Sequence, residues 1–99
     1  MLTSKQRAYL KSLANPLDTI LMVGKGGVTA QVIQQGDEAL EARELIKLNI
    51  LKNCVDDGNE LAAVLAERTH AQVVQVIGKK IVLYKEAKDE KKRKIVLPK

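Results

Sequence analysis

Gly24-Lys25-Gly26-Gly27 is the stretch of this sequence whose residue types and spacing could do chemistry. The apolar run Ile20-Leu21-Met22-Val23 leads into it, and a helical pattern opens just after it, near Thr29. Glycines let a backbone approach a ligand closely, and the first N–H groups of a helix have no intrahelical partner. A strand that empties through glycines into a helix start therefore suits an anion such as phosphate. Carboxylates normally favour a helix's first turn because of the dipole. Here Asp37, Glu38 and Glu41 lie in the second half, and the first turns carry Thr29, Gln31, Gln34 and Gln35. The positive end is left without an internal anion. Neither common nucleotide fingerprint fits, since G-x-G-x-x-G would need glycine where Thr29 stands and a P-loop needs G-x-x-x-x-G-K-[ST]. A bare G-x-x-G also occurs in plain turns, so the motif alone leaves turn and site both open.

Catalysis finds little support elsewhere. His70 is the single histidine, just past a helical segment, where a surface or capping role suits it. Cys54 is the single cysteine, so there is no internal disulfide, and one thiol cannot anchor a metal. Asp56, Asp57 and Glu60 cluster, but helix capping accounts for them. No paired carboxylates or metal-ligand spacing stand out. The expectation is a protein that is no enzyme and carries no cofactor, metal or small-molecule substrate. No apolar run is long enough to span a membrane, and the N-terminus has no apolar signal core. A cytoplasmic location and a reducing compartment follow as expectations.

The charge is polarised along the chain. Residues 1–29 carry four basic and one acidic side chain, a balance of +3. Residues 30–70 carry four basic and eight acidic, a balance of −4. Lys79 and Lys80 add +2, and residues 85–99 carry seven basic and three acidic, a balance of +4. Such asymmetry suits a face for a polyanion, although a basic tail is often only solvated. There is no Phe or Trp, and only Tyr9 and Tyr84 are aromatic. A protein that stacks successive bases on rings needs more of them. Any nucleic acid would thus be held mainly through phosphates, sugars and shape, with the glycine loop on the sugar–phosphate backbone of an RNA.

The elements that must position this loop read in order. The 99 residues make one domain, taken as 1–86 with a basic tail over 87–99. Helix one spans 4–14, with Thr3 or Ser4 as N-cap, Leu10, Leu13 and Ala14 as stripe, and an end at Asn15-Pro16. Arg7 and Lys11 are neighbours on one side of it. Ile20–Val23 reads as a short, wholly apolar strand inside a helix-covered sheet. Helix two runs from about Thr29 to Ala42, with Gly36 on its apolar side expected to allow close packing. Leu45–Leu51 alternates as a strand, with Ile46, Leu48 and Ile50 on one face. Helix three runs from about Gly58 to Thr69, opened by Asp57 with Glu60 at capping-box spacing. Val73–Ile77 and Ile81–Tyr84 form a hairpin around Gly78-Lys79-Lys80, a type II′ turn with both lysines at an exposed tip. Residues 85–94 look flexible, and the packing of Ile95-Val96-Leu97 stays open. The fold class is α/β, in the order α-β-α-β-α-β-β: a mixed four-stranded sheet with three helices.

Three motifs in this order carry a family resemblance: Gly24-Lys25-Gly26-Gly27-Val28-Thr29, Leu45-Ile46-Lys47-Leu48, and the hairpin from Val74 to Tyr84. Together they resemble the CRM domain, the chloroplast RNA splicing and ribosome maturation domain, in its stand-alone bacterial YhbY-like form. The likeness covers nearly the whole chain, including the ending Lys94-Ile95-Val96-Leu97-Pro98-Lys99. It implies an RNA-binding fold similar to the C-terminal domain of translation initiation factor 3, with a G-x-x-G loop like that of KH domains. It also implies association with precursors of the large ribosomal subunit, so ribosomal RNA is the expected partner. By position, Gly24 and Gly27 are the loop glycines, with Lys25 and Gly26 the variable pair between them.

The expected RNA contacts are therefore Gly24, Lys25, Gly26, Gly27 and Thr29, joined by Lys5, Arg7, Lys11, Lys79 and Lys80, with a monomer and no membrane contact expected. Two rivals stand beside this. One is a nucleoid protein that binds double-stranded DNA through the same basic face. The other is a protein–protein adaptor on the ribosome that uses the acidic helices.

Overall fold

The computed structural model describes residues 2–98. Helix α1 (Ser4–Ala14) opens with a full capping box: the Thr3 side chain accepts from the Gln6 N–H, and the Gln6 side chain accepts from the Thr3 N–H. Strand β1 (Leu21–Val23), helix α2 (Ala30–Arg43) and strand β2 (Leu45–Ile50) form a crossover unit whose two strands run parallel. Helix α3 (Gly58–Thr69) then leads into the antiparallel hairpin β3 (Gln72–Ile77) and β4 (Lys80–Tyr84). The sheet order is β1-β2-β4-β3. Three helices and a mixed four-stranded sheet match the expected class.

Strand alternation sends side chains to two cores. Ile46, Leu48 and Ile50 with Ile81 and Leu83 meet Leu40, Leu61 and Leu65 beneath α2 and α3. Cys54 is buried in this core. On the opposite face Leu45, Val74, Val82 and Tyr84 pack with Leu10 and Ala14 of α1. Helix α1 packs mainly on β2, β3 and β4, while β1 packs against α2. The sequence suggested an interior strand at 20–23, but β1 is an edge strand, with Met22 58% and Ile20 37% exposed. Its apolar run reflects one covered face and one open one.

The hairpin closes through a two-residue loop, Gly78-Lys79, because Ile77 pairs with Lys80. Gly78 has φ +54 and Lys79 does not share that sign, the signature of a type II′ turn. Lys80 thus belongs to β4 rather than to the tip. The ladder slips between Val73 and Gln75, a bulge that the alternation did not announce. At α3 the Asp57 side chain accepts from Asn59, so the expected box with Glu60 is replaced by a simpler cap.

The segment after β4 departs most from expectation. Its flexible reading over 85–94 is corrected by a buried anchor, Glu44. This carboxylate accepts the N–H groups of Ala87 (2.9 Å), Lys94 (2.6 Å) and Ile95 (3.1 Å). Glu41 takes those of Lys88 and Asp89 at 2.7 and 3.1 Å. Ile95 and Leu97 then close over the α1-side core, and Gln6 Nε2 donates to the Pro98 carbonyl at 3.1 Å.

Candidate functional site

Because β1 and β2 run parallel and β4 runs against them, three loops leave the sheet at one end: 24–27, 51–57 and the tip at 78–79. Backbone bonds tie them together. The Leu51 N–H donates to the Val23 carbonyl at 2.8 Å, and the Ile50 N–H to the Lys79 carbonyl at 2.7 Å. Helices α2 and α3 both start at this end.

The glycine loop is a closed turn, with the Gly27 N–H donating to the Gly24 carbonyl at 2.9 Å. Gly27 is buried at φ +66, and a Cβ there would lie 3.0 Å from Asp56 Oδ2. Glycine is structurally required at that position. Gly24 and Gly26 have no such demand. Neither has a positive φ, and added Cβ atoms would meet side chains alone: Leu51 Cδ1 at 3.4 Å and Asn53 Oδ1 at 3.7 Å for Gly24, and Thr29 Cγ2 at 3.3 Å for Gly26. Lys25 and Gly26 are exposed.

Thr29 is the N-cap of α2, its side chain accepting from the Val32 N–H at 3.2 Å, and no acid lies in the first turn. Helix α3, by contrast, starts with Asp57 and Glu60. One carboxylate does approach the loop. Asp56, which the sequence assigned to helix capping, stands beside Gly27 instead. Nothing in its spacing signalled this.

The remaining expected contacts divide. Lys79 is at the exposed tip, and Lys80 Nζ donates to Asn49 Oδ1 at 3.0 Å on the α1 side of the sheet. Arg7 and Lys11 lie along the edge strand β3 in an open groove that Asn59 also lines, and Arg7 Nε is buried without a hydrogen-bond partner. Lys5 is exposed on the first turn of α1, next to Gln6, which lines a hollow with Gln72 and Tyr84 at the opposite end of the sheet. So the structure gathers Gly24–Gly27, Thr29, Lys79 and Lys80, sets Arg7 and Lys11 along one edge, and leaves Lys5 remote.

Lys47 was missed as a member of this surface. Its Nζ donates to the Asn15 carbonyl at 3.4 Å, on the same face as Lys80. Helix α1 and the four strands together carry Lys5, Arg7, Lys11, Lys47 and Lys80 and no acid. Helices α2 and α3 carry Asp37, Glu38, Glu41, Glu60 and Glu67 against Arg43 and Arg68. The sheet thus separates a basic side from an acidic one.

His70 is the αL cap of α3, at φ 59, and is exposed. Among the described residues no group of three or more His, Cys, Asp or Glu could hold a metal, and no helix is long and apolar enough to cross a membrane.

The model of the CRS1 / YhbY (CRM) domain matches residues 2–85. The chain belongs to the CRM family. It is 53% identical over 91 residues to Probable RNA-binding protein YqeI of Bacillus subtilis, covering 92% of this chain and 95% of that one. A Haemophilus influenzae RNA-binding protein is 33% identical over 90 residues, covering 91% of each. The solution structure of the hypothetical protein SAV1595 from Staphylococcus aureus superposes with a TM-score of 0.81 at 50% identity. That match covers 99% of this chain and 100% of the other. The CRM assignment thus covers β1, the glycine loop and the hairpin alike.

Proposed function

We propose that this CRM protein binds RNA without catalysis and assists assembly of the large ribosomal subunit in the cytoplasm. The observation that carries the RNA reading is the charge split across the sheet. The five cations of α1 and the strands face no acid on those elements, although Asp18 in the following loop lines a groove with Lys47, and the glycine loop opens at the end of this side. A polyanion is drawn to such a surface and its backbone held there by Lys and Arg. Gly24 and Gly26, which the fold does not require as glycines, leave room for a phosphate to reach the backbone N–H groups at the start of α2. The names of the relatives support RNA as the polymer. The ribosomal part rests on the resemblance of the three motifs to YhbY-like proteins.

The loop Gly24–Gly27 with Thr29 takes the backbone, Lys79 and Lys80 extend the contact, and Arg7 and Lys11 form a second line. Lys5 lies apart and contributes at most long-range attraction. The acidic-helix adaptor loses ground because Glu41 is already engaged with the N–H groups of Lys88 and Asp89.

The test is a gel-shift titration with the Lys25→Asp/Gly26→Asp double variant. Both positions are exposed, so the fold should persist while RNA affinity falls at least about tenfold, with one cation-to-anion change and one added anion at the loop. Unchanged binding would remove the loop from the mechanism. Competition between structured RNA and duplex DNA of equal charge separates the nucleoid rival.

A further inference from the structure

Helix α1 stops short of the end of the sheet, and what it leaves uncovered is a row with defined register. Met22 pairs with Asn49, Asn49 with Lys80, and Lys80 with Ile77, one line across all four strands. Met22 and Ile77 are each 58% exposed. Single exposed apolar residues need no explanation, but two in one row flanking a lysine and an amide form a surface.

Between this row and the end of α1 is a hollow of about 110 Å³. Val82, 3% exposed, forms its floor, and Ile77 a wall. Asn15, Gln75, Lys47 and Lys80 also line it, and no acid does. Both ammonium groups are held by neutral oxygens, Lys47 by the Asn15 carbonyl and Lys80 by the Asn49 amide, so their charge is uncompensated. An apolar floor suits a flat ring, carboxamides supply both donors and acceptors for a ring's polar edge, and lysines suit the flanking phosphates. A duplex buries its ring faces in the stack, so a base reaches such a hollow only when unpaired.

We propose that this hollow seats one unpaired base of the RNA whose backbone is held at the glycine loop. The proposal rests on the RNA-binding reading above and adds a base-contacting site to it. Continuity supports it. Lys80 is two strands from Met22, about 10 Å at the usual strand spacing, and Met22 is two residues before Gly24. A short run of nucleotides bridges that span. The site also supplies what the scarcity of aromatic rings denies: a base contact made by an aliphatic floor instead of a stacking ring.

The full chain is titrated with two RNA probes, a fully paired hairpin stem and the same stem carrying an unpaired 3′ extension, over a range of salt. The exposed-face variant Gln75→Ala/Ile77→Ser should lower affinity for the extended probe at least about fivefold, the low end of what one seated base contributes. Affinity for the paired stem and the log–log salt slope should stay at wild-type values, because no phosphate contact is removed. Wild-type affinity of that variant for the extended probe overturns the base site alone, and equal losses on both probes do the same. Wild-type protein that binds neither probe overturns the RNA reading and the site with it. Photocrosslinking of wild type to a probe with 4-thiouridine in the extension gives a readout independent of any variant. Crosslinks within 75–82 support the site, and crosslinks confined elsewhere overturn it.

Discussion

At the residue scale, the four loop positions differ in what they require. Gly27 combines φ +66 with the close Asp56 carboxylate, so Gly27→Ala meets both backbone strain and a contact. A loss of about 1–2 kcal/mol is expected, seen as a Tm lower by several degrees. An unchanged melting curve would show that the turn relaxes freely. Gly24→Ala meets only ordinary van der Waals contacts with Leu51 and Asn53, so its Tm should stay within about 2 °C of wild type. If a phosphate approaches the loop as proposed, RNA affinity should nevertheless fall, and equal affinity by gel shift would place the RNA elsewhere. The G-x-x-G pattern was legible in the sequence. The distinction between its glycines was not, because it depends on Leu51 and Asp56, far along the chain.

At the element scale, α2 shows where a local expectation needed its neighbours. Gly36 was expected to permit close packing, and it does face Thr69 of α3, but an added Cβ would sit at a comfortable 3.6 Å from Thr69 Cγ2. Gly36→Ala should therefore stabilise the protein by up to about 1 kcal/mol through helix propensity. A denaturant midpoint at or below wild type would reveal hidden crowding. The spans of α1, α3 and the hairpin were readable because periodicity and turn chemistry are local. The bulge in β3 and the edge position of β1 were not, because both are set by which elements pack against them.

At the scale of the whole molecule, Glu44 joins the C-terminal segment to the core. It has φ 66, just past α2, and its buried carboxylate receives three N–H groups from the C-terminal segment. Burial pushes this carboxyl up, but the bonds from Lys94, Ala87 and Ile95, with the charge of Arg93, outweigh it and hold it below its ordinary 4.5. Hydrogen bonds from Lys88 and Asp89 lower Glu41 in the same way. A carboxylate with a lowered folded pKa contributes stability that is complete above its unfolded value and lost as pH falls through the folded one. Stability should therefore be level above about pH 5 and decline below 4.5. Glu44→Gln should cost on the order of 2 kcal/mol at neutral pH, flatten that decline, and expose residues 85–98 to proteolysis. A variant with wild-type stability and an intact acid limb would show that other groups anchor the segment.

The sequence by itself determined the α/β class, the element order, the glycine loop at a strand-to-helix junction and the CRM resemblance. Each depends on short-range spacing, turn residues or motifs that the chain carries locally. Only the tertiary structure decided which side of the sheet is open, where Lys47 and Lys80 meet, and that Asp56 borders the loop. It also decided that the basic C-terminal segment is pinned, because Glu44 lies more than forty residues before the N–H groups it binds. Periodicity assigns a residue to a face, but which helix covers that face is settled by packing between distant elements.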